Sequence, residues 1–275
     1  MIKGYGLPYL DKNGNKNKFI GDISFIDLKN IYYLDMEIRE ILLYALDYIE
    51  ISFKAYITYY HSQKYGPYGY KNTDNLDISS AIKIDDSEKN NEEVNKAIKE
   101  YKEKLYITEE SKEIEKYKKI NHDIIKHYLD KHDGDYPLWV IIEFVDFGFV
   151  SKMFAWLKEE DRKIICNDKY PKTRNNVVVK WLRGLSNLRN LCAHRDRLFG
   201  VNMPLTLKVN KEDSKDLKNI NGNKLFFYIF IMKKLIRNEY VWNSFLQRLD
   251  DSINKYPSVD IKNYGFPNSW KEILS

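Results

Sequence analysis

The chain has 275 residues, 43% hydrophobic and 31% charged, which supports a sizeable core and excludes wholesale disorder. Its 12 glycines and 7 prolines are too few to turn the chain at every hairpin of a many-stranded β-protein, and its two cysteines exclude a disulfide framework. A net charge of +5 and a pI near 8.8 permit a polyanionic partner without demanding one.

In chain order, residues 1–22 are polar, with no apolar signal-peptide core, and form an irregular N-terminal arm. A cytoplasmic protein is the expectation. Asp27 to Tyr60 carries a long helical period with Leu43, Leu46, Phe53 and Ile57 on its inward stripe. Arg39 and Glu50 share that stripe, because eleven positions bring the helix back to within roughly 20°. Charges on an apolar face need partners. Two sources stay open: a helix-end salt bridge with Asp35 or Lys54, or groups gathered at a site.

Tyr65-Gly66-Pro67-Tyr68-Gly69 ends this helix. Residues 71–133 form a charged helical insertion of mixed sign, with Ile98, Leu105, Ile114 and Ile124 as its apolar positions. His122, His127 and His132 lie five apart, which is not a metal-ligand spacing on one helix face, and are expected at the surface. Pro137 to Trp156 predicts one buried helix, broken or bent at Gly148. After a polar loop, Val177 to Leu198 predicts another helix, and Lys224 to Lys255 a long amphipathic one anchored by Phe226, Phe230 and Trp242. The apolar run Leu225–Leu235 is too short to span a bilayer. Without repeats or linkers, residues 1–275 are expected to form a single all-α domain.

Basic residues are unevenly spread. Lys169, Lys172, Arg174, Lys180, Arg183, Arg189 and Arg195 occur in a stretch without one acidic residue, a candidate RNA-binding face. Within it, Asn190 and His194 are four apart and share a helix face, and Arg197, three further along, joins them. Arg189 points about 140° away from His194, so a second copy of the helix across a two-fold axis is the simplest way to gather these groups. Histidine suits acid–base work near neutrality, and arginine binds phosphate bidentately. Together with asparagine they can support attack of an RNA 2′-OH on its own phosphate, without a metal or other cofactor. DNA lacks that hydroxyl.

The string Arg189-Asn190-x-Cys192-Ala193-His194-x-x-Arg197-Leu198 resembles the signature of Abi-like proteins, a HEPN family related to the nuclease motifs of type VI CRISPR effectors. Leu34-Asp35-x-Glu37-Ile38-Arg39 with Ile49-Glu50-Ile51 looks like that family's first core helix, followed by Tyr65-Gly66-Pro67-Tyr68. Pro137-Leu138-Trp139 through Gly148 is similar to its central helix, and Tyr264 to Trp270 to its closing segment. Lys54 departs from the pattern, standing where arginine is expected. The resemblance implies an all-α HEPN-type bundle, a homodimer, and an abortive-infection phage-defence toxin that is a metal-independent endoribonuclease, regulated by a cognate small RNA. It assigns Arg189, Asn190 and His194 as catalytic, with Arg39, Glu50 and Arg197 in support. One alternative is a non-cleaving structured-RNA-binding protein of a toxin–antitoxin system. A second is a protein-binding scaffold presenting Phe226, Phe230 and Trp242.

Overall fold

Leu34, Ile38, Ile41, Leu42, Ala45, Leu46, Ile49, Phe53 and Ile57 recur at helical spacing, all buried, along the first and longest helix of the computed structural model, α1 (Phe25–Tyr65). Leu43 lies to the side of this stripe and is only half-buried. The structure describes residues 2–10, 19, 23–79, 91–105, 122–215, 217–218 and 220–275. After α1 come α2 (Asn91–Lys104), α3 (Asp123–His132), α4 (Leu138–Ile141), α5 (Phe147–Trp156), α6 (Glu159–Lys169), α7 (Asn175–Ala193), α8 (Leu225–Leu235), α9 (Glu239–Lys255) and α10 (Trp270–Leu274). Among the described residues there is no strand, only two isolated bridges, Leu10 to Phe19 and Leu76 to Leu157. The fold is all-α, and no described helix is long and apolar enough to cross a membrane.

The chain divides into two compact units, Met1–Ile49 with Lys180–Ser275, and Glu50–Val179. Helices α1 and α7 each contribute to both.

In the second unit, the passage expected as one helix is broken at Val145–Asp146, not at Gly148. Asp146 caps α5 by accepting the Phe149 N–H (2.8 Å), and a side-chain cap of this kind starts a new helix wherever it stands. Gly148 sits inside α5. Within the charged insertion Leu105 is fully buried, as its place in the pattern expects, whereas on α3 the buried residue is Ile125 and Ile124 is exposed, one residue on from where the spacing placed the apolar face. Ile114 lies outside the described residues.

In the first unit, α8 is apolar and buried all round from Leu225 to Met232, as a core helix must be, and only Lys233 and Lys234 near its end are half-buried. The expected helix Lys224–Lys255 is instead two, because the Asn238 side chain accepts from the N–H groups of Tyr240 and Val241 and starts α9. Phe226, Phe230 and Trp242 are core residues at 0%, 2% and 7% exposure, which removes the scaffold reading built on them.

A strap over Leu205–Lys208 holds α7 in this unit. The Tyr228 hydroxyl donates to the Leu205 carbonyl and the Trp181 indole to that of Lys208, both at 2.7 Å. Leu207 comes so close to Gly184 that a Cβ there would lie 2.7 Å from its side chain. This strap and the buried Leu185, Leu188 and Cys192 fix which face of α7 points outward.

Candidate functional site

With Leu185, Leu188 and Cys192 turned inward, Lys180, Arg183, Asn187, Asn190 and His194 occupy the opposite face of α7 and the position just after it. Their spacings of three and four keep them within an arc of about 80°. All are exposed but Asn187, which is half-buried. The sequence reading missed Asn187, although its spacing was sufficient to place it. Arg189 is half-buried on another side of the helix, so one copy does not set it beside His194.

Helix α7 ends one residue before His194, whose N–H still bonds the Asn190 carbonyl at 2.9 Å. Arg195 then adopts a left-handed conformation with φ 59°. Its N–H reaches the Cys192 carbonyl (3.1 Å) and that of Asp196 reaches Leu191 (2.9 Å), the double hydrogen bond of a Schellman stop. Glycine normally takes this position, and a side chain there costs about 1–2 kcal/mol. The helix therefore stops before Arg197, which does not join the His194 face. Its guanidinium donates to the Gly4 carbonyl at 2.5 Å, where the first part of the N-terminal arm forms a 3-10 helix, Ile2–Tyr9.

The turn after His194 is held from beneath by Asp35. This fully buried carboxylate accepts the N–H groups of Leu198 (3.2 Å) and Phe199 (2.9 Å). It also accepts the hydroxyls of Tyr5 (2.7 Å) and Tyr264 (3.0 Å) and is paired with Arg39. The same Arg39 nitrogen donates to the Asp196 carbonyl at 3.2 Å. Burial, and then the Asp35 charge, raise both tyrosine hydroxyls well above the usual range, so both remain protonated donors. Arg39 is held fully charged, since its bond with Tyr5 and the Asp35 carboxylate outweigh the opposing cost of burial. Thus Arg39 has the Asp35 partner that the sequence left open, and through it reaches the site turn. Sequence reasoning named Asp35 as a possible ion-pair partner but not as the acceptor for the main chain after His194.

Glu50 belongs to the second unit, where Lys54 takes up its charge at 3.1 Å and in turn lies 3.4 Å from the Glu143 carbonyl. There also Lys169 is bound to Asp168 (2.6 Å) and lies over the Tyr56 ring, while Lys172 and Arg174 are exposed. Cys192 is buried behind the site, and burial pushes its thiol up to about 12, leaving it protonated and unreactive. No group of three or more His, Cys, Asp or Glu among the described residues is placed to share a metal ion.

A family model described as Abi-like protein matches residues 1–200 of the chain. Comparisons with curated proteins and with solved structures return no match.

Proposed function

The chain belongs to the Abi-like protein family, and from that premise we propose that it is a HEPN-type endoribonuclease acting as an abortive-infection toxin against phage. The observation that carries this reading is the exposed face of α7, where cations and amides lead along one helix to a solvent-facing His194 at its end. Lys180 and Arg183 would engage the phosphates of an RNA strand, and Asn190 would orient either the imidazole or the phosphate.

His194 accepts the proton of a ribose 2′-OH as that oxygen attacks the adjacent phosphorus. The bond from phosphorus to the 5′-oxygen breaks, and that oxygen leaves protonated by an imidazolium. The products are a 2′,3′-cyclic phosphate and a 5′-hydroxyl. Arg189 stabilises the charge that builds on the phosphoryl oxygens. Because Arg189 and His194 diverge on one helix, the complete site is a homodimer in which two copies of α7 meet, one histidine accepting and the other donating. A cognate small RNA fits the same basic face as a regulator.

The test is cleavage of cellular RNA by the purified chain in excess EDTA. Cyclic-phosphate ends are expected, with loss of cleavage by His194→Ala and by a 2′-deoxy substitution at the cut position. Full activity of His194→Ala, or strict dependence on a divalent ion, overturns the mechanism. Tight binding of one structured RNA without any cutting favours the binding protein instead.

A further inference from the structure

We infer that Asp35 and Arg39 are positioning residues that set the His194 turn for cleavage, an inference that rests on the proposed role of His194. A helix stopped by arginine rather than glycine in the left-handed position is held by its surroundings, because the residue itself disfavours the conformation. The surroundings here are specific. Main-chain groups of three residues just after His194, the Asp196 carbonyl and the N–H groups of Leu198 and Phe199, are gripped by one buried ion pair.

An ion pair buried for stability alone needs no bonds to the main chain that follows an exposed histidine, and apolar residues of like volume commonly serve as well. This pair instead couples the interior of α1 to the main chain immediately after the acid–base residue. Tyr5 and Tyr264 take up further acceptor capacity of the carboxylate, which offsets the cost of burying it. The Arg39 charge and the planar carboxylate therefore fix where the C-cap, and with it the His194 ring, stands.

The test compares single-turnover cleavage, RNA affinity and melting temperature of the full-length chain for wild type, Asp35→Asn, Arg39→Lys, Tyr264→Phe and His194→Ala. Asp35→Asn keeps an oxygen acceptor but loses the charge that orients Arg39. Tyr264→Phe removes one hydrogen bond to the same carboxylate, keeps its ring against Phe199 and leaves the grip on the turn in place. Asp35→Asn and Arg39→Lys are expected to slow the saturated rate by about tenfold or more with RNA affinity within about twofold of wild type, as for a displaced catalytic group. Tyr264→Phe is expected to lose stability and keep its rate. Should Asp35→Asn fail to fold, Arg39→Lys against Tyr264→Phe decides. Rates that simply follow melting temperature across the series, or wild-type rates in both Asp35→Asn and Arg39→Lys, overturn the inference. A wild type sensitive to His194→Ala but indifferent at Asp35 and Arg39 removes this inference alone, whereas a wild type that cuts nothing removes the proposed reaction with it.

Discussion

An exposed histidine at a helix end contributes little to packing, so replacing His194 should change stability by no more than about 0.5 kcal/mol. That separates chemistry from folding at this position. Arg189→Ala is expected to lower cleavage by at least about a hundredfold if it stabilises the phosphoryl charge, with the loss in rate exceeding the loss in affinity. Equal losses in both would make it a binding residue only. A different histidine, the buried His61 in the second unit, contributes to acid sensitivity. Its pKa lies below the usual value because burial penalises the cation, with the Asp161 charge opposing in part. The folded state therefore binds fewer protons than the unfolded one, and stability falls as pH drops below the unfolded value of about 6.5, by up to about 1.4 kcal/mol per unit, until the folded pKa is passed. Melting curves between pH 8 and 5 should show this fall, and His61→Phe should flatten it. The outward face of His194 was legible from its spacing to Leu185 and Leu188. The role of Asp35 was not, since its donors lie up to 229 residues away along the chain.

Helix type was readable from apolar periodicity, but helix ends were decided by single side chains that periodicity does not weigh. Asp146 and Asn238 each begin a helix inside a passage whose apolar spacing reads as continuous. Arg195 ends α7 although no glycine announces the stop, and this displaced Arg197 from the face on which regular spacing had put it. The strap over α7 depends on close backbone approach. A Cβ on Gly222 would lie 2.1 Å from the Leu207 carbonyl oxygen, which is main chain and cannot swing aside. Gly222→Ala is therefore expected to cost roughly 1–3 kcal/mol, as for an overpacked core, measured by urea unfolding with an unchanged slope. A neutral result would mean that the strap does not hold α7.

At the scale of the molecule, the all-α class followed from composition and period, whereas division into two compact units did not, because α1 and α7 run unbroken through both and offer no linker. If Lys180 and Arg183 bind phosphates, RNA affinity should fall steeply with salt, and replacing both by alanine should reduce the slope of log K against log salt by roughly 1.4 for a single strand. An unchanged slope would place the RNA elsewhere. The carboxylate of Asp35 gathers donors from residues 5, 39, 198, 199 and 264, so its ring of contacts closes only after every residue up to Tyr264 has emerged from the ribosome. A nascent chain halted anywhere before Tyr264 carries the His194 motif but not the full set of bonds around Asp35. An interrupted chain thus holds a buried carboxylate short of a donor, and such fragments are expected to unfold more readily than the chain that reaches Tyr264.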